Sequence, residues 1–322
     1  MSRILVTGAT GFIGRALCVE LLRQGHAVRA ALRREQDRER AVIEGVEHAI
    51  TGDITAATDW HAALKGVEAV VHLAARVHLM RDEASKPLTA YRAINTQGTL
   101  NLARQAASAG VRRFLFVSSI KVNGEGLDIP YTEDDPPMPA DPYAVSKWEA
   151  EQGLMAIAAQ TGLELVILRP PLVYGPGVGG NFLRLLRVIH RGIPLPLGSI
   201  HNQRDLLYLG NLINAMVLCL NHPSAQGKTF LIRDGEPLAT PDLIRRLARE
   251  MQRKPNLFPI PPIVLCLLGK MTGKSGEITR LTGAMRIDDD KLRTQLGWEP
   301  PFTVDAGLRE TVNWFLKQQT SD

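Results

Sequence analysis

The chain has 322 residues, 45% of them apolar and 22% charged, an ordinary globular composition with ample material for a core. The net charge is +5, yet the basic residues are scattered. The densest patch, Arg33 to Arg40, alternates with Glu35, Asp37 and Glu39, so nucleic acid is not an expected partner. Three cysteines without a CxxC pair, Cys18, Cys219 and Cys266, argue against a disulfide framework or a zinc site and read as buried free thiols.

The N-terminus runs into an apolar strand without a cleavable signal pattern. The most apolar stretch, Leu257 to Gly269, is too short for a membrane span and carries three prolines. It reads as a buried wall or lid, with peripheral membrane contact as the alternative. A cytoplasmic protein with no transmembrane segment is expected.

Strand signatures recur at Arg3 to Thr7, Ala27 to Leu32, Ala69 to Leu73, Phe114 to Val117 and Leu163 to Leu168. Helical segments at Phe12 to Gln24, Tyr91 to Ala109 and Tyr143 to Gln160 separate several of them. This alternation predicts an α/β fold, a Rossmann-type doubly wound parallel sheet. After Arg169 prolines and glycines become frequent. Helices are expected at Phe182 to His190 and Leu209 to Leu220, one more strand at Thr229 to Arg233, and mostly helix from Pro237. We therefore expect a dinucleotide-binding domain over 1–169 with a return strand around 204–233. A smaller, mainly helical C-terminal substrate lobe would come from 170–203 and 234–322.

Between the first strand and first helix stands Thr7-Gly8-Ala9-Thr10-Gly11-Phe12-Ile13-Gly14. Gly8, Gly11 and Gly14 permit a tight turn and close approach of a pyrophosphate, and the N–H groups of Phe12, Ile13 and Gly14 open the helix toward an anion. The GxxGxxG spacing resembles the extended branch of the short-chain dehydrogenase/reductase superfamily, the NAD-dependent epimerase/dehydratase family. NAD users of that family carry an acidic residue where this chain has Leu32, followed by Arg33 and Arg34. A guanidinium pairs with a 2′-phosphate, so NADP is expected, with NAD as the alternative. The resemblance further implies cofactor contacts from Asp53 and Ile54, from Leu73, Ala74 and Ala75 after His72, and from Asn95 in an NxxGT-like segment.

Asp141-Pro142-Tyr143-Ala144-Val145-Ser146-Lys147 is the most informative stretch. Asp141 is a good N-cap and Pro142 suits the first helical position. Tyr143 and Lys147 are then one turn apart on one face. The ammonium and the helix N-terminus are expected to lower the phenol's pKa, so that it can take or return an alcohol proton. The resemblance makes Ser119 the third catalytic member, with Ser118 as its support, and makes Tyr143 and Lys147 cofactor contacts as well. It also places Pro170 and Tyr174 at the nicotinamide pocket, and Lys121, Asn123, Asn181, Arg204 and Arg280 toward the substrate.

The family's chemistry is NAD(P)-dependent oxidoreduction at C4 of a nucleotide-sugar. Ile120-Lys121 stands where dehydratases carry an acid/base pair, so dehydration is disfavoured. Arg33 and Arg34 point to net reduction, and Ser119-Ile120-Lys121-Val122-Asn123-Gly124 resembles bacterial reductases that complete N-acetylated 6-deoxy sugars for surface polysaccharide, which implies a UDP-4-keto-6-deoxy-N-acetylhexosamine as substrate. A UDP-hexose 4-epimerase acting on UDP-Glc or UDP-GlcNAc is the alternative, followed by a hydroxysteroid or dihydroflavonol-type reductase and a non-catalytic dinucleotide sensor. The resemblance also implies a homodimer, and no metal is expected.

Overall fold

The computed structural model describes residues 2–41, 43–77, 87–126, 129–271, 279 and 281–320, and in it the apolar runs line up as one parallel sheet. The strands are β1 (Arg3–Thr7), β2 (Ala27–Leu32), β3 (Val46–Ile50), β4 (Ala69–His72), β5 (Arg113–Val117) and β6 (Glu164–Arg169), then β7 (Leu172–Tyr174), β8 (Leu206–Tyr208) and β9 (Lys228–Leu231). Seven of them form the sheet in the order β3-β2-β1-β4-β5-β6-β9, while β7 and β8 pair separately. Every residue of β4 and β5 is buried, because helices cover both faces of a parallel sheet. The order reverses between β1 and β4, which opens a crevice at the carboxyl ends of those strands.

Two features differ from expectation. The edge strand β3 has the sequence VEHAI and is only partly buried, so its weak apolar signal gave no strand. The helix expected over Tyr91 to Ala109 is composite: α3 (Pro87–Tyr91), a π-helical turn (Arg92–Gly98) and α4 (Thr99–Ser108). A Cβ at Gly98 would lie 2.6 Å from Ile54 Cγ2, so glycine lets this segment press onto the loop after β3.

The other helices are α1 (Phe12–Arg23), α2 (His61–Leu64), α5 (Pro142–Thr161), α6 (Gly180–His190), α7 (Leu209–Asn221), α8 (Thr240–Glu250), α9 (Pro262–Met271), α10 (Asp290–Leu296) and α11 (Val304–Gln319). One apolar core joins α1 and α7 to a sheet face, and another packs α4 and α5 on the opposite face. A third gathers α6, α8 and α11 around Tyr174 and Phe182. Buried Asp234 ties that third core together, accepting from Tyr174 Oη at 2.9 Å, Asn211 Nδ2 at 2.7 Å and Tyr208 N at 2.9 Å.

The stretch Leu257 to Gly269 corrects its reading as a buried wall. Residues 263, 267 and 271 recur at helical spacing, and Ile263, Leu267 and Met271 are 71%, 57% and 84% exposed. Cys18 and Cys219 are buried as expected, but Cys266 lies exposed on this same helix. Among the described residues no helix is long and apolar enough to cross a membrane.

Candidate active site

The glycine turn closes on itself. A Cβ at Gly14 would stand 2.1 Å from Gly8 O, and one at Gly8 2.9 Å from Ala74 N. Both glycines are therefore required by the packing of α1 on the β1 and β4 ends. No side chain caps α1 at Gly11, and Arg15 is the first residue whose N–H reaches back, to Gly11 O at 3.0 Å. The N–H groups of Phe12, Ile13 and Gly14 thus point out of the helix end, as an anionic ligand requires. Together with Leu73, Ala74 and Ala75, partly exposed after β4, these groups fit a dinucleotide pyrophosphate.

Behind the turn runs a buried chain of polar groups. Thr7 Oγ1 accepts from Leu73 N and Ala74 N, both at 3.2 Å, and lies 2.7 Å from His72 Nδ1. Its own proton therefore goes to Nδ1, which leaves Nε2 to donate to Thr99 Oγ1 at 2.9 Å. Burial, with the Lys147 ammonium as a second cause, holds His72 down at about 3, so the ring is neutral. His72 fixes the loop and takes no proton.

Asn95, expected as a cofactor contact, is buried and bonded within the chain. Its Oδ1 accepts from Arg76 N at 2.8 Å, and its Nδ2 donates to Arg76 O and to Ser146 Oγ, each at 3.0 Å. Ser146 Oγ donates in turn to Tyr143 O at 2.7 Å. The side chain clamps the loop after β4 to the helix of Tyr143. Arg33 and Asp53, read separately as contacts for a 2′-phosphate and an adenine, are ion-paired with each other across the β2 and β3 ends. Arg34 is exposed, its backbone N–H donating to Asp37 Oδ2 at 3.0 Å, and Ile54 packs on Gly98.

Tyr143 and Lys147 lie on the first turns of α5, which begins at the expected cap: Asp141 Oδ1 accepts from Ala144 N at 2.8 Å. Lys147 is 2% exposed, and its ammonium donates to Val117 O at 2.8 Å and lies 4.4 Å from the Phe116 ring centre. It is thereby fixed at the carboxyl end of β5, where Ser118 and Ser119 follow. Ser119 Oγ accepts from Lys121 N at 3.3 Å. Ser118 Oγ is buried with no hydrogen-bond partner among the described residues, an unsatisfied polar atom beside the site.

The expected acidity of the phenol is corrected in the ligand-free chain. Burial raises the pKa of Tyr143, and Asp141 and Tyr91 push the same way. Burial also lowers Lys147 to about 7, partly opposed by Glu151. Desolvation of the ligand-free phenol is the leading cause.

Toward the substrate side, Lys121 Nζ sits 2.6 Å from Asp141 Oδ2 and 3.4 Å from Glu125 Oε1. Asn123 does not face this space. It is fully buried, donating to Thr132 O at 2.8 Å and accepting from Arg169 Nη1 at 2.9 Å, while Arg169 pairs with buried Glu151. Pro170 is buried, and its carbonyl accepts from Ile120 N at 3.0 Å. Tyr174 belongs to the third core and not to a pocket wall. Asn181 is exposed on the first turn of α6. Arg204 is partly buried and donates to Gly283 O at 2.8 Å, and burial lowers its pKa while Glu125 opposes that shift. Arg280 lies outside the described residues. Sequence reasoning missed Glu151, although it extends the series Tyr143, Lys147 by one more helical turn. Among the described residues no cluster of acidic, histidine or cysteine side chains could hold a metal.

Comparison with known proteins agrees with this geometry. The NAD dependent epimerase/dehydratase family matches residues 4–232. A UDP-glucose 4-epimerase of Vibrio cholerae is 43% identical over 318 residues, covering 98% of this chain and 95% of that protein. The solved structure of MoeE5 in complex with UDP-glucuronic acid and NAD has a TM-score of 0.79 at 27% identity, covering 98% of this chain and 99% of that one. A UDP-glucuronic acid 4-epimerase from Bacillus cereus, at 24% identity and a TM-score of 0.80 over 98% and 99% of the two chains, shares the fold. This chain belongs to the NAD dependent epimerase/dehydratase family, and its glycine turn, Ser119, Tyr143 and Lys147 stand at the carboxyl end of a Rossmann-type sheet.

Proposed function

We propose that the protein is a UDP-sugar 4-epimerase that works with NAD. The carrying observation is the 43% identity with the Vibrio cholerae UDP-glucose 4-epimerase across nearly the whole of both chains. Ser119, Tyr143 and Lys147 at one sheet end supply the residues such a reaction needs. When bound, the nicotinamide ring supplies reversible oxidation and reduction at the sugar carbon. Tyr143 holds the proton of the C4 oxygen and returns it. Ser119 Oγ, at the mouth of the site, holds that same oxygen in place. Lys147, immobilised by Val117 O and the Phe116 ring, supplies positive charge from below. The preference for NAD rests on the similarity to MoeE5, solved with NAD at 27% identity, while Arg33 pairs with Asp53 at the exposed β2 and β3 ends.

The ketoreductase reading keeps one observation, the absence of an acidic residue at Leu32 beside Arg33 and Arg34. One experiment separates the two. Purified protein given UDP-Glc or UDP-GlcNAc should form the C4 isomer, followed by NMR, with no net change in nicotinamide. Stoichiometric NADPH consumption with a UDP-4-keto-6-deoxy-HexNAc, and no isomerisation of UDP-Glc or UDP-GlcNAc, would overturn the epimerase reading.

A further inference from the structure

Asp141 and Lys121 meet where the two catalytic segments converge. Asp141 is the N-cap of the helix bearing Tyr143, with Oδ1 accepting from Ala144 N at 2.8 Å. Its other oxygen, Oδ2, receives Lys121 Nζ at 2.6 Å. Lys121 stands two residues beyond Ser119 and donates its own N–H to Ser119 Oγ. One carboxylate therefore links the tyrosine helix to the serine turn. Both side chains are about three-quarters buried, at 27% and 28% exposure, so their charges are less screened than those of a surface pair.

We propose that Lys121 and Asp141 form an electrostatic couple that positions Tyr143: the carboxylate caps its helix but stands against the phenolate, and the ammonium cancels that carboxylate. Both are positioning residues, and the idea rests on Tyr143 as the proton carrier. An uncompensated Asp141, two residues before the phenol, would oppose its ionisation. Lys147, one helical turn from Tyr143, supplies its own positive charge, but that charge is held at Val117 O and not at the Asp141 carboxylate. Tyr91 of α3 packs edge-on at 6.2 Å and adds to the penalty on the anion. Arg76 lies over the Tyr91 ring, 5.5 Å from its centre. Lys147 is tied to Val117 O, His72 is neutral, and Ser119 offers only a hydroxyl. Glu125, 3.4 Å from Lys121, shares that ammonium on its far side. Lys121 is thus assigned a role through the phenol, in place of the substrate contact expected from its position.

The test follows the ionisation of residue 143 without substrate. A fluorinated tyrosine, more acidic than the natural residue, is incorporated at 143 in the full chain and titrated by fluorine NMR. Lys121→Met should raise the midpoint by about 0.5 pH unit or more, and Lys121→Arg should leave it near wild type. Asp141→Asn, which keeps a good helix cap, should lower it. The double variant, which removes both opposing charges, should return near the wild-type midpoint. If Lys121→Met does not fold, Asp141→Asn carries the test by itself. A midpoint unmoved in Asp141→Asn, or in a folded Lys121→Met, would overturn the couple. Because no substrate is present, failure of the epimerase reading would show separately, as absent C4 isomerisation by the wild-type protein.

Discussion

Lys147 shows how function competes with stability at one position. Its ammonium is almost fully buried, with one carbonyl partner and an aromatic face, and burial lowers its pKa from 10.5 to about 7. The unfolded chain therefore binds more protons between those two values, so stability from this group rises as pH climbs from 7. Lys147→Met removes the buried charge and should stabilise the ligand-free protein at pH 7 by ~1–3 kcal/mol, while turnover is lost. The advantage should shrink between pH 7 and 9, as chemical denaturation at several pH values would show. At this scale the sequence was legible where chemistry is local. Tyr143, Lys147 and the Asp141 cap follow from spacing along one helix. The Arg33–Asp53 pair joins residues 20 apart in sequence, and the three contacts of Asn95 depend on a loop and a neighbouring helix. Neither arrangement is encoded in spacing.

The glycine turn is the element on which the proposed dinucleotide binding depends. A methyl group at 14 would stand 2.1 Å from Gly8 O, against backbone that cannot move without shifting α1 from β1. Gly14→Ala should therefore cost about 2–4 kcal/mol of stability and strip the purified protein of dinucleotide, measured by thermal melting and by chromatography of the released nucleotide. Elements with long apolar runs, such as β4 and β5, were readable because both their faces are buried. Strands β7 and β8 have three residues each, too few to show any period. Strand β3 is an edge whose exposed residues hide its alternation. The π-helical turn before α4 carries Asn95, which reaches both Arg76 and Ser146, and helical periodicity does not report such a turn.

Across the whole molecule, one end of the sheet collects the residues assigned to the proposed reaction. The crevice between β1 and β4 receives the glycine turn, β5 delivers Ser119, and α5 lays Tyr143 and Lys147 beside it. The buried chain Thr7–His72–Thr99 and the clamp Arg76–Asn95–Ser146 hold these segments in register. The third core, anchored on Asp234, stands beyond β6 and contributes Arg204 through the β8 end. In the proposed reaction the Tyr143 hydroxyl carries the proton at C4. The most direct measurement compares wild type with Tyr143→Phe for UDP-sugar isomerisation and for dinucleotide retained on purification. Isomerisation should fall by about 100-fold to 10,000-fold with retained dinucleotide unchanged. Turnover within a few-fold of wild type would contradict it.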